Sequence, residues 1–147
     1  MIYCETSFLL PLYAEGDSFH ARARGIAAKF REPLPYTLLL ELELQNGIRR
    51  ALATGTLNRQ QHDAAFRRIE EDESDGILQR RPLDSAQHYA KARELSKKFT
   101  PDLGVRSLDI LQVAAAMLLK AESLASFDDR QRRLAEKAGL KLLPRQL

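Results

Sequence analysis

The chain has 147 residues, a formal net charge of +3, 44% hydrophobic and 29% charged residues, and one cysteine. That length suits one domain, read over 1–147, which needs no disulfide or structural zinc, and a single Cys excludes a Cys₄ or Cys₂His₂ site. The mixture excludes disorder, and the longest uncharged apolar run, Ile110–Leu119, falls far short of the ~18–20 residues of a membrane span.

Ile2-Tyr3-Cys4 opens the chain as a short β-type run. The N-terminus carries no basic residue before Arg22, so it does not read as a signal peptide, and a strand at residue 2 leaves no room for a preceding domain. Thr6 or Ser7 can cap a helix carrying Phe8 to Tyr13. Asp17 or Ser18 begins a second helix, with Phe19, Ala23, Ile26, Ala27 and Phe30 at 3–4 spacing, and Pro33 and Pro35 stop it. Leu34–Tyr36 is a short strand. Thr37 caps a helix from Leu38 to about Ala53, ended by Gly55. Asn58 caps the next helix, which finishes in the acidic run Glu70–Asp75, read as a solvated face. Ile77–Gln79 is a strand and Ser85–Phe99 a helix. Ser107 caps the most apolar helix, Leu108–Lys120. Ser123–Phe127 and Leu140–Leu143 are the last strands, with Arg130–Ala138 helical between them. Short apolar strands alternating with amphipathic helices predict an α/β fold with a parallel sheet.

The basic residues are 16 Arg and 7 Lys. Arg's planar fork matches phosphate bidentately, so this bias admits a phosphate-facing role, although ordinary surface chemistry is the commoner reason for it. The carboxylates are more informative. Glu5 ends the first strand, and ligands of open parallel sheets bind beyond the carboxyl ends of strands. Asp109 opens the most buried helix, which carries no other charge before Lys120. Asp128 ends another strand, and Asp129 beside it is the expected cap, which leaves Asp128 spare. The ordinary reading of Glu5 and Asp109 is an acid complementing a helix dipole, worth under ~1 kcal/mol. Within Leu38–Leu44, Glu41 and Glu43 point about 200° apart on a helix and cannot share a site. Asn46 shares the face of Glu43. Geometry leaves the choice between Glu41 and Glu43 open.

If such acids converge, two carboxylates ~4 Å apart repel by about 4 kcal/mol at an effective dielectric of 20, so a proton or a hard cation must offset them. His20, His62 and His88 fall on predicted surface helices and do not compete for a metal. Oxygen donors alone select Mg²⁺ or Mn²⁺, an arrangement suited to phosphoryl chemistry.

The series Ile2-Tyr3-Cys4-Glu5-Thr6-Ser7, Leu42-Glu43-Leu44-Gln45-Asn46, Arg106-Ser107-Leu108-Asp109-Ile110-Leu111-Gln112 and Ser126-Phe127-Asp128-Asp129-Arg130 resembles the PIN domain, and more narrowly the VapC-type ribonuclease toxins, over essentially the whole chain. The resemblance implies a three-layer α/β/α fold around a short-stranded parallel sheet of about five strands. It implies a cytoplasmic, Mg²⁺- or Mn²⁺-dependent endoribonuclease that acts on RNA, forms a homodimer and is neutralised by a small antitoxin. It aligns Glu5, Glu43, Asp109 and Asp128 with the family's catalytic acids, favouring Glu43 over Glu41. Glu5, Asp109 and Asp128 would hold the metal. Thr6, Ser7 and Asn46 match accompanying polar positions, and Arg106 and Arg130 are positioned to hold the RNA backbone. Two positions depart from the pattern. Glu5 stands where Asp is usual, which moves the carboxylate by roughly 1.5 Å, and Gln112 stands where His is usual. The competing reading is a catalytically weakened PIN domain that binds protein or RNA. A phospho-acceptor receiver or phosphatase would need Asp at position 5 and a strand-end Lys, and has neither.

Overall fold

The structure is a computed structural model and describes residues 1–146. Among the described residues there are seven helices and five strands, in the order β1 (Ile2–Cys4), α1 (Thr6–Tyr13), α2 (His20–Ala27), β2 (Leu34–Tyr36), α3 (Leu38–Ala53), α4 (Arg59–Ser74), β3 (Leu78–Arg80), α5 (Ser85–Leu103), α6 (Ser107–Leu118), β4 (Ser123–Ala125), α7 (Asp129–Lys137) and β5 (Lys141–Leu143). Every strand pairing is parallel, as the strand–helix alternation predicts. The strands form two ladders, β1-β4-β5 and β2-β3, where a single sheet of about five was expected. With three residues each, the strands offer few ladder bonds, and the helices carry most of the buried surface. No helix is long and apolar enough to cross a membrane among the described residues.

The chain divides into two compact units. The first comprises Met1–Glu5 and the residues from Arg81 onward. Its three-stranded ladder places Tyr3, Cys4, Leu124 and Ala125 in the core. Helix α5 packs along α6, and α7 packs on α5, α6 and β5. Helix α6 buries Ile110 and everything from Gln112 to Ala116, as its uncharged sequence predicts. Helix α5 runs four residues beyond the predicted Phe99. Pro101 is tolerated near its end, and Gly104, at φ +59°, stops it in the left-handed conformation that glycine adopts without strain.

The second unit is Thr6–Arg80. Here α1 packs on α2, α3 and α4, around Phe8, Leu9, Leu40, Leu44 and Ile48. Thr37 and Asn58 cap α3 and α4 as their sequences predict, Asn58 within a full capping box. Helix α2 starts later than expected. The Asp17 carboxylate accepts the Phe19 N–H in a turn, and regular helix begins only at His20. Strand β3 lies one residue beyond the predicted Ile77–Gln79 because its register is fixed by Leu34 opposite Leu78. The acidic end of α4 is not wholly solvated. Asp72 accepts the Tyr13 hydroxyl at 2.7 Å, and Glu73 pairs with Arg80 at 2.9 Å.

Two glycines of this unit predict opposite outcomes. A Cβ on Gly16 would lie 2.3 Å from the Thr56 carbonyl oxygen, whereas one on Gly25, within α2, meets nothing within 4 Å. Gly25→Ala is expected to stabilise by about 0.5–1 kcal/mol through helix propensity. Gly16→Ala must displace backbone, and is expected to cost roughly 1–3 kcal/mol. Urea melts of the two variants should move to opposite sides of wild type.

Candidate active site

In the first unit, the three-stranded ladder fixes two of the predicted acids. Cys4 is opposite Ala125, and the Glu5 N–H continues the ladder by donating to the Ala125 carbonyl at 3.1 Å. Glu5 and Asp128 therefore follow adjacent parallel strands at the same, carboxyl, edge. Glu5 is 4% exposed and Asp128 is exposed. Burial and the neighbouring Glu5 charge push the Cys4 thiol well above its ordinary range, so Cys4 is a buried, inert strand residue.

Helix direction turns Asp109 towards this edge. Only residues 119–122 separate α6 from β4, so the chain reverses and α6 runs antiparallel to the strands. The buried Gln112 side chain accepts the Tyr3 hydroxyl, which sets the level of α6 against β1. Glu5 shares a face of β1 with Tyr3, two residues on. Asp109 shares a face of α6 with Gln112, one turn back. Both steps lead from the Tyr3–Gln112 bond towards the carboxyl edge. Gln112, one of the two departures from the resembled pattern, thus locks helix to strand.

Two caps differ from expectation. The extended Arg106 occupies the N-cap position of α6, Ser107 is already helical, and the Asp109 carboxylate reaches back to the Arg106 N–H at 3.1 Å. Asp128, not Asp129, caps α7, accepting the Gln131 N–H at 2.8 Å. The cause is Ser126, whose hydroxyl accepts the Asp128 N–H at 3.0 Å and holds Asp128 extended, where its carboxylate can reach the helix start. Each cap uses one carboxylate oxygen of its acid.

In the second unit the two α3 acids part company. Glu41 takes a bidentate grip from Arg80, with both bonds at 3.0 Å, which lowers its pKa. Arg80 also lies over the Tyr36 ring, and burial pushes the Tyr36 hydroxyl up to about 12. Glu41 is therefore committed to a structural ion pair. Glu43 instead accepts the hydroxyl of Thr6 at 2.9 Å, and Thr6 follows Glu5 in the chain. Ser7 is half-buried on α1, and Asn46 is exposed on α3. The histidines are more enclosed than surface positions would be. His20 and His88 are half-buried and contact the Pro11 and Leu111 carbonyls at 2.6 and 2.7 Å.

The PIN domain family model matches residues 2–137. The chain belongs to the PIN domain family. Its fold is also that of solved VapC structures. VapC20 of Mycobacterium tuberculosis, a toxin that cleaves the sarcin–ricin loop, is 16% identical, with a TM-score of 0.71 over 95% of this chain and 96% of that one. VapBC2 of Rickettsia felis, bound to a DNA fragment from its promoter, is 16% identical, with a TM-score of 0.64 over 97% of each chain. No match is found among curated proteins.

In this PIN domain, Asp128 and Arg130 line one cavity of about 300 Å³ together with Leu103, Asp129 and Arg133. Arg133, one turn along α7 from Arg130, escaped the sequence reading, although the Arg-x-x-Arg spacing on one helix face was there to be read. Exposed Arg106 does not line this cavity. A larger cavity, about 550 Å³, lies in the second unit beside Arg24, Arg31 and Arg68, and none of the predicted site residues lines it.

The donors fit a hard divalent cation in kind, since Glu5, Asp109 and Asp128 offer only carboxylate oxygens. Among the described residues no three His, Cys, Asp or Glu side chains are gathered as a ready metal cage. Mg²⁺ does not require one. It keeps several waters and takes one or two carboxylates plus substrate phosphate oxygens.

Proposed function

We propose that the chain, 1–147 as one PIN domain, is a metal-dependent endoribonuclease and the toxin of a toxin–antitoxin pair. The observation that carries this reading is that Glu5 and Asp128 follow the adjacent parallel strands β1 and β4 at one carboxyl edge, and the direction of α6 supports adding Asp109 to them. Glu5, Asp109 and Asp128 hold Mg²⁺ or Mn²⁺ there, directly or through water. Such an ion, when bound, lowers the pKa of a coordinated water and offsets charge on the phosphate in the transition state.

Each acid keeps a carboxylate oxygen outside its cap, so Asp109 and Asp128 can serve helix and site together. Glu43, steadied by Thr6, orients the water that attacks phosphorus. Thr6, Ser7 and Asn46 supply polar contacts to the RNA. Arg130 and Arg106 hold its backbone phosphates, with Arg133 beside Arg130 in the Asp128 cavity.

The remaining parts of the reading are a cytoplasmic location, an antitoxin partner and a homodimer. Leu38 and Leu42, at i and i+4 of α3, are 74% and 67% exposed. Such a pair supports an interface on α3. Helix α1, by contrast, buries its large apolar residues Phe8, Leu9 and Tyr13.

Incubation of the purified chain with structured RNA, in Mg²⁺, Mn²⁺ or EDTA, tests the activity. Cleavage is expected with either ion and none in EDTA. The second reading, a weakened PIN domain that mainly binds, is favoured by the buried Glu5 in place of Asp. An inactive wild type that gains cleavage on Glu5→Asp would select it, and a chain inactive in both forms would overturn the nuclease.

A further inference from the structure

Helix α7 carries one guanidinium that is not at the surface. Arg132 is 6% exposed. Its Nη1 donates to the carbonyls of Ser126 at 3.0 Å and Leu143 at 3.3 Å. Its Nη2 donates to those of Pro144 at 2.8 Å and Arg145 at 3.4 Å. The four acceptors belong to two segments. One is the turn that follows β4. The other is the tail that leaves β5.

The turn is the one that carries Asp128. The Ser126 hydroxyl takes the Asp128 N–H at 3.0 Å, the Ser126 N–H donates to the Leu143 carbonyl at 3.0 Å, and the Arg132 N–H donates to the Asp128 carbonyl at 2.9 Å. With the Gln131 N–H on Oδ1, Asp128 is held at its amide, its carbonyl and one carboxylate oxygen. Arg132 closes this frame from behind and ties it to the tail.

Taking a guanidinium out of water carries a heavy desolvation penalty, so such a group is weak evidence for a purely stabilising role. Its planar fork can meet several carbonyls at fixed angles, which a Lys ammonium on a flexible stem cannot. A metal ligand needs such fixing, because Mg²⁺ demands near-ideal octahedral geometry.

We propose that Arg132 is a positioning residue for Asp128, and that the tail Leu143–Arg145 is part of the support of the metal site. The proposal rests on the reading of Asp128 as a metal ligand.

The test is a Mn²⁺ titration of the full chain, read as loss of the free-ion electron paramagnetic resonance signal, so activity is not the readout. Wild type is compared with Asp128→Asn, Arg132→Lys, a chain ending at Leu143, and Leu95→Ala. Leu95 is a buried α5 residue remote in sequence from the clamp, and its truncation controls for destabilisation alone. Arg132→Lys and the shortened chain are each expected to weaken Mn²⁺ binding roughly 10–100-fold, the usual cost of losing an outer support of a ligand. Leu95→Ala should bind as wild type. If Arg132→Lys does not fold, the shortened chain decides, since it keeps Arg132 and removes the Pro144 and Arg145 acceptors. Wild-type affinity in the clamp variants, with loss in Asp128→Asn, would overturn the proposal and leave Asp128 a ligand. Equal weakening in Leu95→Ala would overturn it as well. Wild-type affinity in Asp128→Asn, or no Mn²⁺ binding by wild type, would overturn the ligand reading and this proposal with it.

Discussion

Asp109→Asn is expected to lower metal-dependent RNA cleavage by at least two orders of magnitude while leaving the fold intact. The asparagine oxygen can still accept the Arg106 N–H, so the half-box that starts α6 survives. The lost charge weakens the interaction with the helix dipole, at a cost of about 0.3–1 kcal/mol. The same charge is one of the three proposed to hold a cation at the edge of β1 and β4, and a bound cation supplies several kcal/mol of transition-state stabilisation. A small loss of stability and a large loss of rate should therefore separate cleanly. Thermal melts with and without Mn²⁺, alongside RNA cleavage, measure both. A variant that cuts RNA as well as wild type would reduce Asp109 to a helix-start residue and remove one of the three proposed ligands.

The caps show where the sequence was legible and where it was not. Thr37 and Asn58 were readable because each precedes a helix with a suitable acceptor side chain and no rival beside it. At Ser107–Asp109 and Asp128–Asp129 two acceptors compete, and propensity cannot rank them. What decides is backbone conformation one or two residues earlier, extended at Arg106 and held by the Ser126 hydroxyl at Asp128. Element order was legible because short apolar runs alternate with amphipathic ones. The split of the strands into ladders of three and two was not, since pairing partners depend on contacts far apart in sequence. Arg132 was the least legible of all. Within Arg130-Gln131-Arg132-Arg133 it looks like any surface cation, and its carbonyl partners lie outside its own helix, in the Ser126 turn and the tail.

The α3 acids provide the second large contrast. On a bare helix Glu41 and Glu43 are equivalent candidates, because each borders an apolar stripe. The fold distinguishes them by partner. Glu41 spends both oxygens on Arg80, whereas Glu43 is joined to the hydroxyl that follows Glu5. Glu43→Gln keeps an amide oxygen for the Thr6 hydroxyl, so stability should stay within about 1 kcal/mol of wild type. It removes the carboxylate proposed to orient the attacking water, and cleavage should fall 10²–10⁴-fold, the usual contribution of a positioned acid–base group. Glu41→Gln should do the reverse in kind. It breaks a partly exposed ion pair worth about 0–1 kcal/mol, so melts shift slightly and cleavage stays at the wild-type level. Cleavage rates of the two variants at saturating Mn²⁺ make the comparison. Loss of cleavage in Glu41→Gln with retention in Glu43→Gln would move the catalytic role to the acid that Arg80 holds. The ion pair would then be a restraint on a working carboxylate and not a structural link between α3 and β3.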